Sequence, residues 1–352
     1  MRAQTGNILV LRFSAMGDVA LLAPVLQSFL VAFPNYQITL ATRPKFCALF
    51  QNQNRLTCFH ADVDSVYKGL FGIFRLFHEL KKTKPEVVLD MHDHIRSRSI
   101  CFLFRLLGVP IVRFDKGRQE KKALTRKENK IRIPLPHTVE RYAMAFSKAG
   151  FSFPIPTNRA TAQRGDITEE KTEAWFGLAP FAAHKSKIWP LENYPALIKM
   201  IIEKMPVKFF LFGGGEKEIG FFKNLKNQFP ENCVIVAGEM NLAEELALMK
   251  KLDSMICVDS SNMHLAALMG VPTISIWGGT HSHAGFGPFG NENKKKVEVP
   301  FEELGCRPCS VYGTETCHRG DFPCMAKIKP EDVWRQIVGY TYPVPNATMG
   351  ST

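Results

Sequence analysis

The chain lacks several features that would have settled its class quickly. No apolar run is long enough to cross a bilayer. The stretch around Cys101 to Leu107 is short and broken by Arg105, whereas a spanning helix needs about 20 apolar residues. The N-terminus runs straight into an apolar strand at Ile8 to Phe13, so neither a hydrophobic leader nor export is expected, and the expectation is a cytoplasmic protein. The first strand–loop–helix turn has no Gly-x-Gly-x-x-Gly, so the dinucleotide fingerprint is missing there. Acidic residues are scarce, 33 against 45 basic, for a formal net charge of +12. That balance fits an anionic partner: a phosphorylated sugar, a nucleic acid or an acidic membrane surface. Aromatics are nearly absent from the most basic segment, Arg113 to Arg132, which holds nine basic residues against three acidic. Single-stranded nucleic acid needs aromatic platforms for its bases, so a nucleic-acid partner is not expected. With little apolar pattern, the segment reads as a mobile basic loop that clamps an anionic acceptor, or as a plain solvated surface.

What is present describes a globular protein. Of 352 residues, 45% are hydrophobic and 22% charged, and the length suggests two domains. Of nine cysteines, Cys47, Cys58, Cys101, Cys233 and Cys257 are scattered and read as small buried hydrophobes in a reducing compartment. The other four, Cys306, Cys309, Cys317 and Cys324, crowd into one loop. They suit a structural zinc, with His318 as an alternate ligand, or else a set of reduced thiols.

The most informative stretch is Ser254 to Gly279. Met255 to Val258 is a short apolar run, as in a strand buried on both faces. Asp259, Ser260, Ser261 and Asn262 are small N-cap residues opening a helix from Met263, which Gly270 and Pro272 close. Thr273 to Trp277 is the next buried strand. A helix N-terminus beyond the end of a parallel strand is a ready anion site. Asp259 and His264 are its two polar groups that packing alone does not require.

The same rhythm runs through the chain. Ile8–Phe13, the tight loop Ser14 to Asp18, a helix Val19–Phe33 and a strand Ile38–Ala41 form a βαβ opening. Val87–Asp90 feeds a polar loop, Met91 to Arg98, and then a helix to Leu107. His137 opens another helix. A proline-rich polar segment, 153–165, reads as the boundary. Beyond it come strands at Phe176, Val207 and Val234, with a Gly213-Gly214-Gly215 loop after the second. The expected domains are therefore 1–165 and 166–329, then a closing helix, 330–342, and a disordered tail, 343–352. The expected fold is α/β: two Rossmann-like doubly wound domains facing a central cleft, the arrangement called GT-B.

Four motifs in order carry a resemblance over nearly the whole chain: Arg12-Phe13-Ser14-Ala15-Met16-Gly17-Asp18, Lys187-Ile188-Trp189-Pro190, Met240-Asn241-Leu242 and Asp259-Ser260-Ser261-Asn262-Met263-His264-Leu265. His137-Thr138-Val139-Glu140-Arg141 is similar to a fifth. The set resembles the ADP-heptose:lipopolysaccharide heptosyltransferases of glycosyltransferase family 9, although Ser261 stands where the commoner form has glycine. The resemblance implies an inverting, metal-independent enzyme with no catalytic cofactor. It implies that Asp18 is the general base and that Lys187, Asp259, Ser260, Ser261 and His264 frame the donor diphosphate. Met240 would border the adenine, and Glu218, or less readily Glu216, the ribose. Acceptor contacts are expected at Ser14, Met16, Gly17, His92, Arg96, Arg98, His137 and Arg141. The implied partners are ADP-heptose and an anionic lipopolysaccharide core, with peripheral contact at the inner face of the inner membrane. The competing readings are a GT-B transferase using another nucleotide sugar for a different surface glycan, and a nucleic-acid-binding zinc protein.

Overall fold

The computed structural model describes residues 6–51, 53–155, 171–290 and 294–338. It comprises two compact units, one of Met1–Arg118 with Pro136–Pro156, the other of Gln119–Leu135 with Thr157–Thr352.

The strands of the first unit are β1 (Gly6–Leu11), β2 (Tyr36–Thr42), β3 (Leu56–His60), β4 (Val87–Asp90) and β5 (Ile111–Arg113). They form one parallel sheet in the order β3-β2-β1-β4-β5. β1 is buried along its whole length, which is why it reads as a continuous apolar run. In chain order the helices up to Lys148 are α1 (Met16–Ala32), α2 (Gly69–Lys81), α3 (Ile95–Leu106), α4 (Arg118–Thr125), which apart from Arg118 belongs to the second unit, and α5 (Thr138–Lys148). The returning segment 136–155 is held to α1 by rings: Phe29 lies 5.0 Å from Phe146 and 5.4 Å from Phe151, and Tyr36 lies 5.0 Å from Phe151. Strand order reverses between β1 and β4, so the loops leaving their carboxyl ends flank the crevice where such sheets bind ligands.

The second unit has β6 (Ala174–Ala179), β7 (Val207–Leu211), β8 (Cys233–Ile235), β9 (Ser254–Val258), β10 (Thr273–Trp277) and β11 (Lys295–Glu298), all parallel, in the order β11-β10-β9-β6-β7-β8. Its helices are α6 (Asn193–Ile202), α7 (Glu216–Gln228), α8 (Leu242–Lys250), α9 (Ser261–Leu268), α10 (Pro323–Ala326) and α11 (Pro330–Val338). The reversal falls between β6 and β9, where Ala179 aligns with Cys257, so the loops after these strands leave the sheet side by side.

Several expectations change. The basic segment is not a mobile loop: it starts on the last residue of β5 and runs through α4, and residues 119–135 pack within the second unit. Lys121 Nζ sits 4.3 Å over the Phe286 ring, Lys130 donates to Pro308 O at 2.8 Å, and Leu135 N–H to His283 O at 2.9 Å. Buried Lys121 and Leu124 are the anchors that a charge-dominated sequence conceals. Cys47 and Cys58 are not separate buried thiols. They form a disulfide, because the turn Pro44–Phe50 packs beside β3 and brings their Cα atoms to 5.8 Å. The closing helix α11 packs on α6 and on β10 and β11 of the second sheet. The expected boundary segment lies largely, and the tail wholly, outside the described residues. Among the described residues no helix is long and apolar enough to cross a membrane.

Candidate active site

In the first unit the loop after β1 carries Asp18 into the first turn of α1, with about a quarter of its side chain exposed. Its carboxylate pairs with Arg12 and accepts the Ala15 N–H at 3.4 Å. Arg12, buried at the end of β1, also donates to Met91 O, and its guanidinium lies 5.8 and 5.9 Å from the Phe114 and Tyr142 rings. One arginine therefore ties the β1 loop to the β4 loop and fixes the direction of the Asp18 carboxylate. The same two loops meet through Ser14 Oγ and His92 Nε2, 3.3 Å apart.

Behind this edge, Asp93 accepts Arg98 Nε at 2.7 Å and Arg118 at 2.6 Å. Burial opposes its ionisation, but these bonds outweigh burial and lower its pKa. Arg98 is thus engaged with Asp93. Arg96 lies in the first turn of α3, and Met16 and Gly17 open α1. His137 caps α5 by accepting the Val139 N–H on Nδ1. Arg141 is buried, donates to Pro136 O at 3.3 Å and packs against Gly117. The structure therefore brings Asp18, Ser14 and His92 to one edge and uses His137 and Arg141 to hold α5.

His92 is neutral under ordinary conditions. Burial, then the Arg12 charge, push its pKa from 6.5 down to about 3, and its buried Nδ1 has no hydrogen-bond partner. An unfolded chain protonates this ring near pH 6.5 and the folded protein only near 3, so stability is fully present above 6.5 and is lost as pH falls toward 3. His92→Gln should lower this acid sensitivity by roughly 1–3 kcal/mol across that window. Urea midpoints at stepped pH check it, and parallel profiles for the two proteins would refute it.

In the second unit the Lys-x-Trp-Pro motif works by leverage. Trp189 is fully buried, stacks edge-on to Tyr194 at 4.9 Å and donates to Ile328 O at 3.0 Å. It anchors the short turn Lys185–Lys187. Ser186 ties that turn on both sides: its N–H donates to Thr314 O at 3.0 Å, its carbonyl accepts the Gly279 N–H at 2.9 Å, and its hydroxyl accepts the Thr314 N–H at 2.8 Å. A Cβ on Gly278 would lie 2.5 Å from Ser186 O, so only glycine permits this approach. Lys187 Nζ then reaches Asp259 Oδ2 at 3.0 Å, and Thr280 Oγ donates to the same oxygen at 2.7 Å.

Asp259 follows directly on β9, and Ser260 is the N-cap of α9. The Ser260 hydroxyl is buried with no hydrogen-bond partner. A buried unpaired hydroxyl is costly, and beside a lysine at a helix N-terminus it suits an anionic oxygen. Ser261 lies half-buried in the first turn, and His264 is buried one turn in. Asn241 of Met240-Asn241-Leu242 caps α8, accepting the Ala243 N–H at 2.9 Å, and leaves Met240 exposed beside it. Glu218 folds back over the glycine loop and accepts the Gly214 N–H at 2.7 Å; burial raises its pKa, although this bond works the other way. Glu216 is exposed at the start of α7.

Two residue groups escaped the sequence reading. Arg307, 1% exposed, donates to Gly278 O at 2.7 Å, to Trp277 O at 3.2 Å and to Val299 O, and pairs with Glu298 at 3.0 Å. Glu298 also meets His281 at 3.0 Å. Burial opposes its ionisation, but these partners hold its pKa near 2. The guanidinium fixes the loop that delivers Thr280. The chain's one Asp-x-Asp is Asp62-Val63-Asp64. Its carboxylates are engaged locally, Asp64 by Arg43 Nε at 2.8 Å and Asp62 by Ser65.

The expected zinc is not supported. Among the described residues no group of three or more His, Cys, Asp or Glu is arranged to hold a metal ion. Cys309 directs its thiol to Gly279 O at 3.6 Å, and Cys324 is buried at the start of α10. His318 joins no such group.

A doubly wound parallel sheet occurring twice, the second copy carrying an anion cradle at its switch point, is the architecture of the GT-B glycosyltransferases. A model of glycosyltransferase family 9 (heptosyltransferase) matches residues 73–316, and the chain belongs to that family. It is 24% identical to lipopolysaccharide heptosyltransferase 1 of Campylobacter coli over 94% of this chain and 98% of the relative. In fold it is similar to the glycosyl transferase family 9 from Veillonella parvula, with a TM-score of 0.71 at 18% identity, covering 96% and 98% of the two chains. It is also similar to E. coli heptosyltransferase WaaC with ADP, with a TM-score of 0.65 at 19% identity, covering 86% of this chain and 96% of the other.

Proposed function

We propose that this enzyme transfers heptose from ADP-L-glycero-D-manno-heptose to an anionic sugar of the lipopolysaccharide inner core, with inversion and without a metal ion, in the cytoplasm at the inner face of the inner membrane. The observation that carries the reading is the Lys187–Asp259–Thr280 set beside the unpaired Ser260 hydroxyl at the α9 N-terminus. Asp18 takes the proton of the acceptor hydroxyl as that oxygen attacks the anomeric carbon. The bond from this carbon to the diphosphate breaks, and ADP leaves with the electron pair. Lys187, the Ser260 and Ser261 hydroxyls and the helix N-terminus take up the developing charge. Asp259 and Thr280 aim Lys187, and His264 closes the pocket behind them. Glu218 accepts the ribose hydroxyls and Met240 borders the adenine. Ser14, Met16, Gly17, His92, Arg96 and Arg98 receive the acceptor, with His137 and Arg141 supporting them.

The test is mass-detected transfer from ADP-heptose to a short lipopolysaccharide core acceptor in excess EDTA. Heptosylated acceptor and free ADP are expected, with EDTA without effect. Turnover only with a UDP- or GDP-linked sugar would replace the donor assignment. Activity lost in EDTA with an intact circular dichroism spectrum, and restored by Mg²⁺ or Mn²⁺, would overturn the metal-free mechanism.

A further inference from the structure

Two neighbouring helices of the first unit are apolar on both faces. α2 buries Gly72, Leu76 and Leu80 toward the sheet, yet its outer face carries Leu70, Phe71 and Phe74, exposed by 76, 92 and 58%. α3 buries Ser97, Ile100, Cys101 and Phe104, yet Ile95, Phe102 and Leu106 are exposed by 74, 59 and 68%. At 100° per residue those three fall within roughly 40° of one another, opposite the buried side. The helices pack together, with Phe77 and Phe104 ring centroids 5.0 Å apart, so their outer faces form one surface. Single exposed apolar residues are ordinary, but a group of six on one surface marks an interaction site.

The charges select the partner. With Arg98 held by Asp93, α2 and α3 together still carry Arg75, Lys81, Arg96 and Arg105 against Glu79 alone. A second copy seated on this face through a two-fold axis would set the same cations against one another. An anionic lipid surface accepts both features, taking the apolar side chains at the boundary between headgroups and chains and the cations at its phosphates. α3 also begins at the Met91–Arg98 loop, assigned above to the acceptor.

We propose that the outer faces of α2 and α3 dock this enzyme on the anionic inner leaflet, which presents the acceptor loop at the lipid surface. This rests on the reading of a membrane-anchored acceptor and names the surface that meets the membrane.

The experiment is co-sedimentation of the full chain with phosphatidylcholine vesicles, with and without phosphatidylglycerol. The wild type should bind the anionic vesicles, less so as salt rises. The variants F71S/F74S and F102S/L106S should each bind them at least about tenfold more weakly, and R75Q/R105Q should lose binding to the anionic vesicles. All three should keep wild-type turnover on a water-soluble acceptor, which also shows that they fold. A wild type that ignores anionic vesicles, or apolar variants that bind like it, would overturn the proposal. So would a wild-type dimer that these variants turn into monomer with vesicle binding unchanged, which would make the face a contact between copies. Vesicle binding is read without any turnover. Docking with no heptose transfer would therefore count against the assigned reaction alone, and transfer without docking against the assigned surface alone.

Discussion

If Asp18 is the general base proposed above, Asp18→Asn should leave the fold and ADP binding intact and reduce turnover by on the order of 10²–10⁴-fold, the usual cost of losing such a base. The change is nearly isosteric and lies in the first unit, where Arg12 holds the carboxylate and about a quarter of the side chain meets solvent. An amide can still accept from Arg12 and from the Ala15 N–H, but it cannot take the acceptor's proton. The measurement is single-turnover transfer at saturating ADP-heptose, with ADP affinity from calorimetry as the control. Turnover near wild type would reduce Asp18 to a residue that only opens α1. A parallel fall in ADP affinity would mean that the substitution disturbs more than the proton transfer.

Arg307→Met carries the second large effect, on stability and donor binding together. The substitution keeps volume but leaves buried carbonyls of Trp277, Gly278 and Val299 without their donor and takes a partner from Glu298. Removing one member of a buried ion pair costs about 3–5 kcal/mol. For a unit of this size that lowers the melting temperature of its transition by roughly 6–20 °C. Thr280 would lose its support and Asp259 an oriented hydroxyl, so the proposed ADP binding should weaken. Arg307→Lys keeps the charge but not the fork that reaches several carbonyls at once, so it should restore little of either. Full recovery by lysine would show that charge alone matters. A large melting shift with unchanged ADP affinity would confine Arg307 to holding the fold.

What could be read ahead of the structure follows from how local each feature is. β1 and β9 are buried on both faces and announce themselves as apolar runs. The loops holding Asp18, Lys187 and Asp259 are short and polar at strand ends, where doubly wound sheets keep their chemistry. β11, Lys295–Glu298, was missed because an edge strand protects itself with charge and shows no apolar pattern. Thr280 and Arg307 were missed for another reason. Their roles depend on meeting Asp259 and the carbonyls of 277–278 across about 20 to 30 positions of chain, and no local spacing encodes that. The Cys47–Cys58 bridge, closed by the approach of a turn to β3, belongs to the same class.

The placement of residues 119–135 has a consequence for synthesis. This segment leaves the ribosome well before its partners Phe286, Phe301 and Pro308 exist. The first unit draws on no chain beyond Pro156, so all of its own residues are made while the basic segment still lacks its partners. At about 5–20 residues per second the wait is roughly 10–30 s, during which Lys121 and Leu124 have no core to enter. Chains that terminate early in the second half would therefore carry a finished first unit and a permanently unseated cationic segment.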